Sequence, residues 1–366
     1  MQLFKCHHCG QILYFENDRC GKCGHRLGYD PVSNRLLALE PNGETWKIAG
    51  GPDHEYRSCA NAVFGVCNWL IDATTPDTYC VCCRHNRTVP DTTVPDNLAR
   101  WKKMEIAKHR LFYSLIRLRL PLDAPRPGGE PGLAFNFLAV PIDGSPRVMT
   151  GHDNGLITIA LAEADDAERE RARAALHEPY RTLLGHFRHE VGHYYWDRLV
   201  RDDPARLEEF RALFGDERLD YNGALQAYYA NGAPPDWQGR FVSAYATSHP
   251  WEDFAETWAH YLHIVDTLEI AGAFDVSVHP RLARGTALDA TVDFDPYAAS
   301  AFDQLVETWM PLSVALNSFN RAMGQPDLYP FVLSPSAVAK LAFVHRLVHP
   351  ARASADLQAA AAASAA

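Results

Sequence analysis

HFRHEVGHYYWDRL, residues 186–199, places two histidines four positions apart with a glutamate directly after the first. On an α-helix, positions i and i+4 share one face. His189 and His193 can therefore present two imidazoles to one ion, with Glu190 beside them as a proton acceptor. Leu183, Leu184, Phe187, Val191, Tyr194 and Tyr195 flank the pair, which predicts a buried helix over about residues 179–200. Imidazoles on an inward helix face need partners; two core histidines bonded to ordinary neighbours are the alternative. His186, three residues before His189, reads as a flanking histidine rather than a ligand.

A third ligand would set the class of site. The metzincin pattern needs glycine at 196 and histidine at 199, and the chain has Trp196 and Leu199 instead. SAYATSHPWEDFAETWAHYLH, residues 243–263, offers a carboxylate from a later helix. Pro250 suits a first helical turn. Phe254, Trp258, Tyr261, Val265 and Leu268 form an apolar seam, leaving Glu252, Glu256, His260 and His263 on a more polar side. Either glutamate can reach an ion held by the first helix. Otherwise Glu252 is a first-turn carboxylate facing the helix dipole and Glu256 a solvated carboxylate or one that backs a ligand.

All nine cysteines lie between Cys6 and Cys83, and the 283 residues beyond contain none. Cys6-x2-Cys9 and Cys20-x2-Cys23 are each followed by glycine, Gly10 and Gly24. Paired CxxC turns at this spacing point to one structural four-cysteine zinc site rather than four unrelated buried thiols. His7, His8 and His25 then read as exposed bystanders. Cys80-x2-Cys83 with Cys59 and Cys67 would complete a second closed site, leaving Cys82 spare. Rival readings give Cys82 a ligand's place or make the group plain buried cysteines. Closed tetrahedra leave no position for substrate, so both sites read as structural.

The cysteine distribution sets the expected domains: a zinc-ribbon, cysteine-rich region over 1–97, a second domain over 98–350 and an Ala-rich tail over 351–366. A 47% hydrophobic composition allows sizeable cores. The net charge of -10, with ten Lys+Arg against eleven Asp+Glu in residues 1–100, excludes a basic nucleic-acid footprint. No secretory signal or membrane-spanning run is visible, and a cytoplasmic location is expected. A helix is predicted over about 98–120, and strands at GLAFNFLAV and GLITIALAE (residues 132–140 and 155–163). The second strand is a candidate sheet edge for pairing with an extended substrate.

FENDRCGKCGHRLGYDP, CANAVFGVCNWL, HFRHEVGHYYWDRL and HPWEDFAE together resemble the bacterial zinc-binding metallopeptidase family that carries an N-terminal zinc ribbon. The resemblance covers roughly residues 1–330. More distantly, YATSHPWEDFAE (residues 245–256) resembles the third-ligand segment of anthrax lethal factor and of the Mlc-titration-factor peptidases. That resemblance implies a gluzincin-like site, with His189, His193 and Glu252 on the catalytic zinc and Glu190 as general base. It further implies Tyr245 as oxyanion stabiliser and Glu256 orienting a zinc-bound histidine. The expected fold class is α+β: a zinc-ribbon region followed by a mostly helical zincin-like domain. The expected cofactors are one catalytic and two structural zinc ions. The expected function is hydrolysis of a protein or peptide substrate, without nucleic-acid or membrane partners. A zinc-ribbon scaffold that binds a protein without cutting it is the alternative, and a zinc hydrolase acting on a non-peptide amide ranks behind it.

Overall fold

The computed structural model describes residues 2–125, 132–139, 150–175, 180–281 and 288–349. Pro179, Val140 and the Ala-rich tail lie outside them. The chain forms two compact units, Met1–Ala172 and Arg173–Ala366. Among the described residues no helix is long and apolar enough to cross a membrane.

The first unit opens with a two-stranded ribbon, β1 (Phe4–Lys5) and β2 (Ile12–Leu13). A five-stranded antiparallel meander follows: β3 (Arg26–Asp30), β4 (Arg35–Asn42), β5 (Thr45–Ile48), β6 (Glu55–Ser58) and β7 (Leu70–Asp72). Leu37, Leu39, Tyr56 and Leu70 form a small core covered by Trp46 and Ile48. After β8 (Asn86–Thr88) comes helix α1 (Asn97–Arg117), which buries Trp101, Met104, Leu111 and Leu115 as its period requires. Phe15 links the ribbon to the sheet and to α1, its ring 4.8 Å from that of Tyr29 and 5.5 Å from that of Tyr113.

A second sheet contains β9 (Ala134–Leu138), β10 (Gly151–Asp153) and β11 (Leu156–Ala160) in the order β10-β11-β9-β8. The expected edge at residues 155–163 is therefore an interior strand. Asn154 and Gly155 both adopt positive φ, 48° and 83°, and fold β10 back onto β11 as a tight hairpin. The outer strands are β10 and β8. Within the first unit β9 pairs in parallel with β8 and α1 packs on the second cysteine cluster.

Helix α2 (Asp166–Ala175) runs across the division point. The second unit is helical: α3 (Leu183–Leu199), α4 (Pro204–Phe214), α5 (Tyr221–Asn231), α6 (Pro250–Ala273), α7 (Phe302–Ala322) and α8 (Pro335–Val348), with a minor pair β12 (Ser277–Val278) and β13 (Ala290–Thr291). Thr182 caps α3 by accepting the Gly185 N–H. His249 caps α6: its Nδ1 accepts the Trp251 N–H, while its Nε2 meets the Leu219 carbonyl at 3.2 Å. Helices α3 and α6 meet at Gly192, where a β-carbon would lie 3.0 Å from Ala255 Cα and 3.2 Å from Trp258 Cβ. Glycine in the HEVGH segment thus lets the two helices approach closely enough to share a site. Tyr195 stacks on Trp258 beside this crossing, with ring centroids 5.0 Å apart. Buried ion pairs fasten α6 to its neighbours: Asp253 to Lys340 of α8 at 2.6 Å, and Asp266 to Arg188 of α3. Each keeps a buried charge compensated. The architecture is therefore an N-terminal sheet and cysteine-rich region followed by a helical region, as the sequence leads one to expect at that level.

Candidate metal centres and active site

The four sulfurs of Cys6, Cys9, Cys20 and Cys23 lie within 4.8 Å of one another, with Cys6–Cys23 at 3.8 Å and Cys9–Cys20 at 3.5 Å. Each CxxC turn closes through a glycine at positive φ, Gly10 at 78° and Gly24 at 76°. The glycine N–H bonds back to the carbonyl of Cys6 or Cys20. His7 and His8 are exposed, but His25 is no bystander: its Nδ1 lies 3.3 Å from Cys23 Sγ.

Cys59, Cys67, Cys80 and Cys83 form a second tetrad, fully buried and equally close. Backbone N–H groups of Cys80, Trp69 and Cys83 donate to the sulfurs of Cys59, Cys67 and Cys80, each at 3.4 Å. Burial pushes the Cys67 and Cys80 thiols well above their usual range, while hydrogen bonds from Cys59, Cys67 and Cys80 hold Cys83 well below it. Cys82 falls outside the tetrad and groups instead with Glu105 and His109. Both tetrads match the soft, tetrahedral donor set of structural zinc.

The third cluster lies on the facing sides of α3 and α6. His189 Nε2 is 2.9 Å from Glu252 Oε2, and His193 Nε2 is 3.4 Å from Glu252 Oε1. Two imidazoles thus face both oxygens of one carboxylate. The other nitrogen of His189 bonds Glu256 Oε1 at 2.7 Å. Glu256 in turn accepts the Ser243 hydroxyl at 2.6 Å. Glu256 therefore stands behind His189, on the side away from Glu252. Burial raises the Glu252 pKa, but the charge of His193 and hydrogen bonds from both histidines hold it well below the carboxylate range. For His189, burial opposes charge, yet bonds to Glu252 and Glu256 lift it well above the usual histidine value. Two carboxylates thus flank one imidazole in this pocket. The two nitrogens and one oxygen offered by His189, His193 and Glu252 lie within 4.8 Å of one another and suit zinc.

Glu190 is buried on α3, directly after His189 in the chain. Tyr245 stands beside the cluster, its ring 5.9 Å from that of His189. Burial and the Glu252 charge push its hydroxyl upward, so it stays protonated and able to donate. The structure thus brings His189, His193, Glu252, Glu256 and Tyr245 together, with Glu190 buried on the same helix as the two histidines.

Sequence reasoning missed Tyr221 and Trp251. Tyr221, on the first turn of α5, donates to Glu252 Oε1 at 2.5 Å. The Trp251 ring lies 3.9 Å from that of His193, tilted 42° to it. Tyr221 carries no local signal, because 31 residues separate it from its partner. Trp251 sits within the segment already singled out but looks like one more apolar helix residue. The Tyr221 bond orients a carboxylate that can ligate metal. Tyr221→Phe should therefore keep the fold and weaken metal binding at this cluster by about 10–100-fold in a zinc titration. An unchanged affinity would remove Tyr221 from the site.

The fold and these clusters define a chain with two cysteine tetrads and a two-histidine, one-carboxylate cluster, each a donor set that could hold a metal. The chain belongs to the family described as "Putative zinc-binding metallo-peptidase", whose model matches residues 97–347. A zinc-ribbon domain matches residues 3–94. An uncharacterized protein of Mycobacterium tuberculosis (strain ATCC 25618 / H37Rv) is 41% identical over 348 residues, covering 95% of each chain. An uncharacterized protein of Mycobacterium bovis shows the same identity and coverage. No solved structure matches the chain.

Proposed function

We propose that the chain is a gluzincin-like zinc peptidase, its helical region zincin-like, hydrolysing peptide bonds in a protein or peptide substrate. One observation carries the reading: His189 and His193 face the two oxygens of Glu252 while Glu256 backs the far nitrogen of His189. His189, His193 and Glu252 would hold the catalytic zinc, and the cysteine tetrads one structural zinc each. Zinc supplies Lewis acidity there and lowers the pKa of a coordinated water to about 7.

Glu190 takes the proton of the attacking water and passes it to the leaving amine. The Tyr245 hydroxyl donates to the developing oxyanion, a role worth about 3 kcal/mol in comparable sites. Glu256, held by Ser243, fixes the ring of His189, and Tyr221 fixes Glu252. Nine cysteines, eight of them in tetrads, fit a reducing compartment such as the cytoplasm.

The full chain, zinc-loaded, should cleave unfolded protein or a peptide library. A chelator should stop cleavage and added zinc should restore it. Metal bound at the histidine cluster with no cleavage of any substrate would favour the scaffold alternative.

A further inference from the structure

The surroundings of the second cysteine tetrad point to a role for α1. One divalent ion held by Cys59, Cys67, Cys80 and Cys83 would leave two net negative charges in a fully buried place. Such charge is costly unless hydrogen bonds and counter-charge meet it. Three of the sulfurs, those of Cys59, Cys67 and Cys80, receive a backbone N–H. Cys83 faces α1 instead. His109 Nε2 lies 3.8 Å from Cys83 Sγ and 3.4 Å from Cys67 Sγ, so one ring spans both.

The neighbouring residue keeps a nearby carboxylate from adding a third negative charge. The Lys108 side chain is wholly buried, 2.9 Å from Glu105 Oε2, and donates to Asn86. Glu105 also accepts Trp101 Nε1 at 2.9 Å and Asn86 Nδ2 at 2.6 Å, and its Oε2 is 3.9 Å from Cys83 Sγ. The ammonium is thus fixed beside the tetrad through a carboxylate that has its own donors.

We propose that His109 and Lys108 stabilise the metal-loaded second tetrad without ligating it, His109 by donating to Cys67 and Cys83 and Lys108 by neutralising the Glu105 carboxylate that lies beside Cys83. The competing arrangement is a second ion on Cys82, Glu105 and His109, whose donor atoms lie within 4.8 Å of one another. It is disfavoured because Glu105 is already engaged by three donor groups, one of them a cation that a second ion would meet in a low-dielectric interior. The first tetrad repeats the device in outline, with His25 Nδ1 3.3 Å from Cys23 Sγ. As a consequence, metal in the second tetrad is tied to the helix at which the metallopeptidase match begins. The inference rests on the zinc reading of that tetrad and is independent of peptidase activity.

The test uses the zinc-loaded full chain. Zinc release to a chromogenic chelator is followed in time, and Cys83→Ala identifies the phase belonging to the second tetrad. His109→Leu should begin with the same number of ions and release the second-tetrad ion about 10–100-fold faster. His109→Gln keeps an N–H at similar reach and should release more slowly than His109→Leu. Lys108→Met should also speed release, and Glu105→Gln/Lys108→Met, which removes both charges together, should restore part of the loss. In the cobalt-substituted protein, the thiolate charge-transfer bands should be unchanged by His109→Leu. Release unchanged in both His109→Leu and Lys108→Met would overturn the proposal. So would loss of a whole ion, or an altered cobalt spectrum, on His109→Leu, because His109 would then be a ligand. If His109→Leu does not fold, His109→Gln and the charge-paired double variant decide the matter by the same readouts.

Discussion

Glu190→Gln should leave the fold and metal content intact and lower peptide hydrolysis by about 10²–10⁴-fold. Glu190 directly follows His189 on α3 and is buried. An amide of nearly equal size fills the same buried space, so the local packing is retained. It has no basic lone pair with which to take a proton from water or return one to the leaving amine. Removing a positioned general base raises the barrier by about 3–5 kcal/mol, the equivalent of that rate loss. The quantity to measure is kcat/KM on a cleaved peptide, beside the zinc content of the same preparation. Unchanged turnover with unchanged zinc would remove Glu190 as the base and leave the rest of the site standing.

Glu252→Ala should abolish metal binding at the α3–α6 cluster and spare both cysteine tetrads. Its side chain is 1% exposed and faces both histidine Nε2 atoms. Alanine would leave two nitrogens with no anionic partner on that side, and the Tyr221 hydroxyl would lose its acceptor. Glu256→Ala should behave differently, because Glu256 reaches the opposite nitrogen of His189. Loss of that orienting bond should weaken the metal by about 10–100-fold without abolishing binding. Zinc counting on both variants separates the roles. If Glu256→Ala empties the site and Glu252→Ala does not, the two carboxylates exchange roles.

Much of this centre is legible in the sequence because it is built from local spacing. His189 and His193 share a helix face by the i, i+4 rule. Pro250 and the seam from Phe254 to Leu268 announce α6, which runs Pro250–Ala273. The choice between Glu252 and Glu256 is not legible from spacing, since both lie on one side of the same helix. It depends on how α3 crosses α6, and that crossing is set by Gly192 against Ala255. Contacts made across long sequence separation are hidden for the same reason. Tyr221 on Glu252 and His109 on the second tetrad have no periodic signature. The interior position of β11 was partly within reach, because the Asn154-Gly155 dipeptide is a hairpin signal as well as a turn. That hairpin accounts for one neighbour, β10, while the parallel pairing with β9 on the other side has no local signal. The parallel pairing of β8 with β9, which holds β9 in the first unit, is likewise long-range and has no local signal.

The most direct measurement is anomalous scattering at the zinc edge from a crystal of the zinc-replete full chain. Peaks are expected at both cysteine tetrads, together with a third at about 2.0–2.2 Å from a nitrogen of His189, a nitrogen of His193 and an oxygen of Glu252. Filled tetrads with no zinc between α3 and α6 would contradict the account.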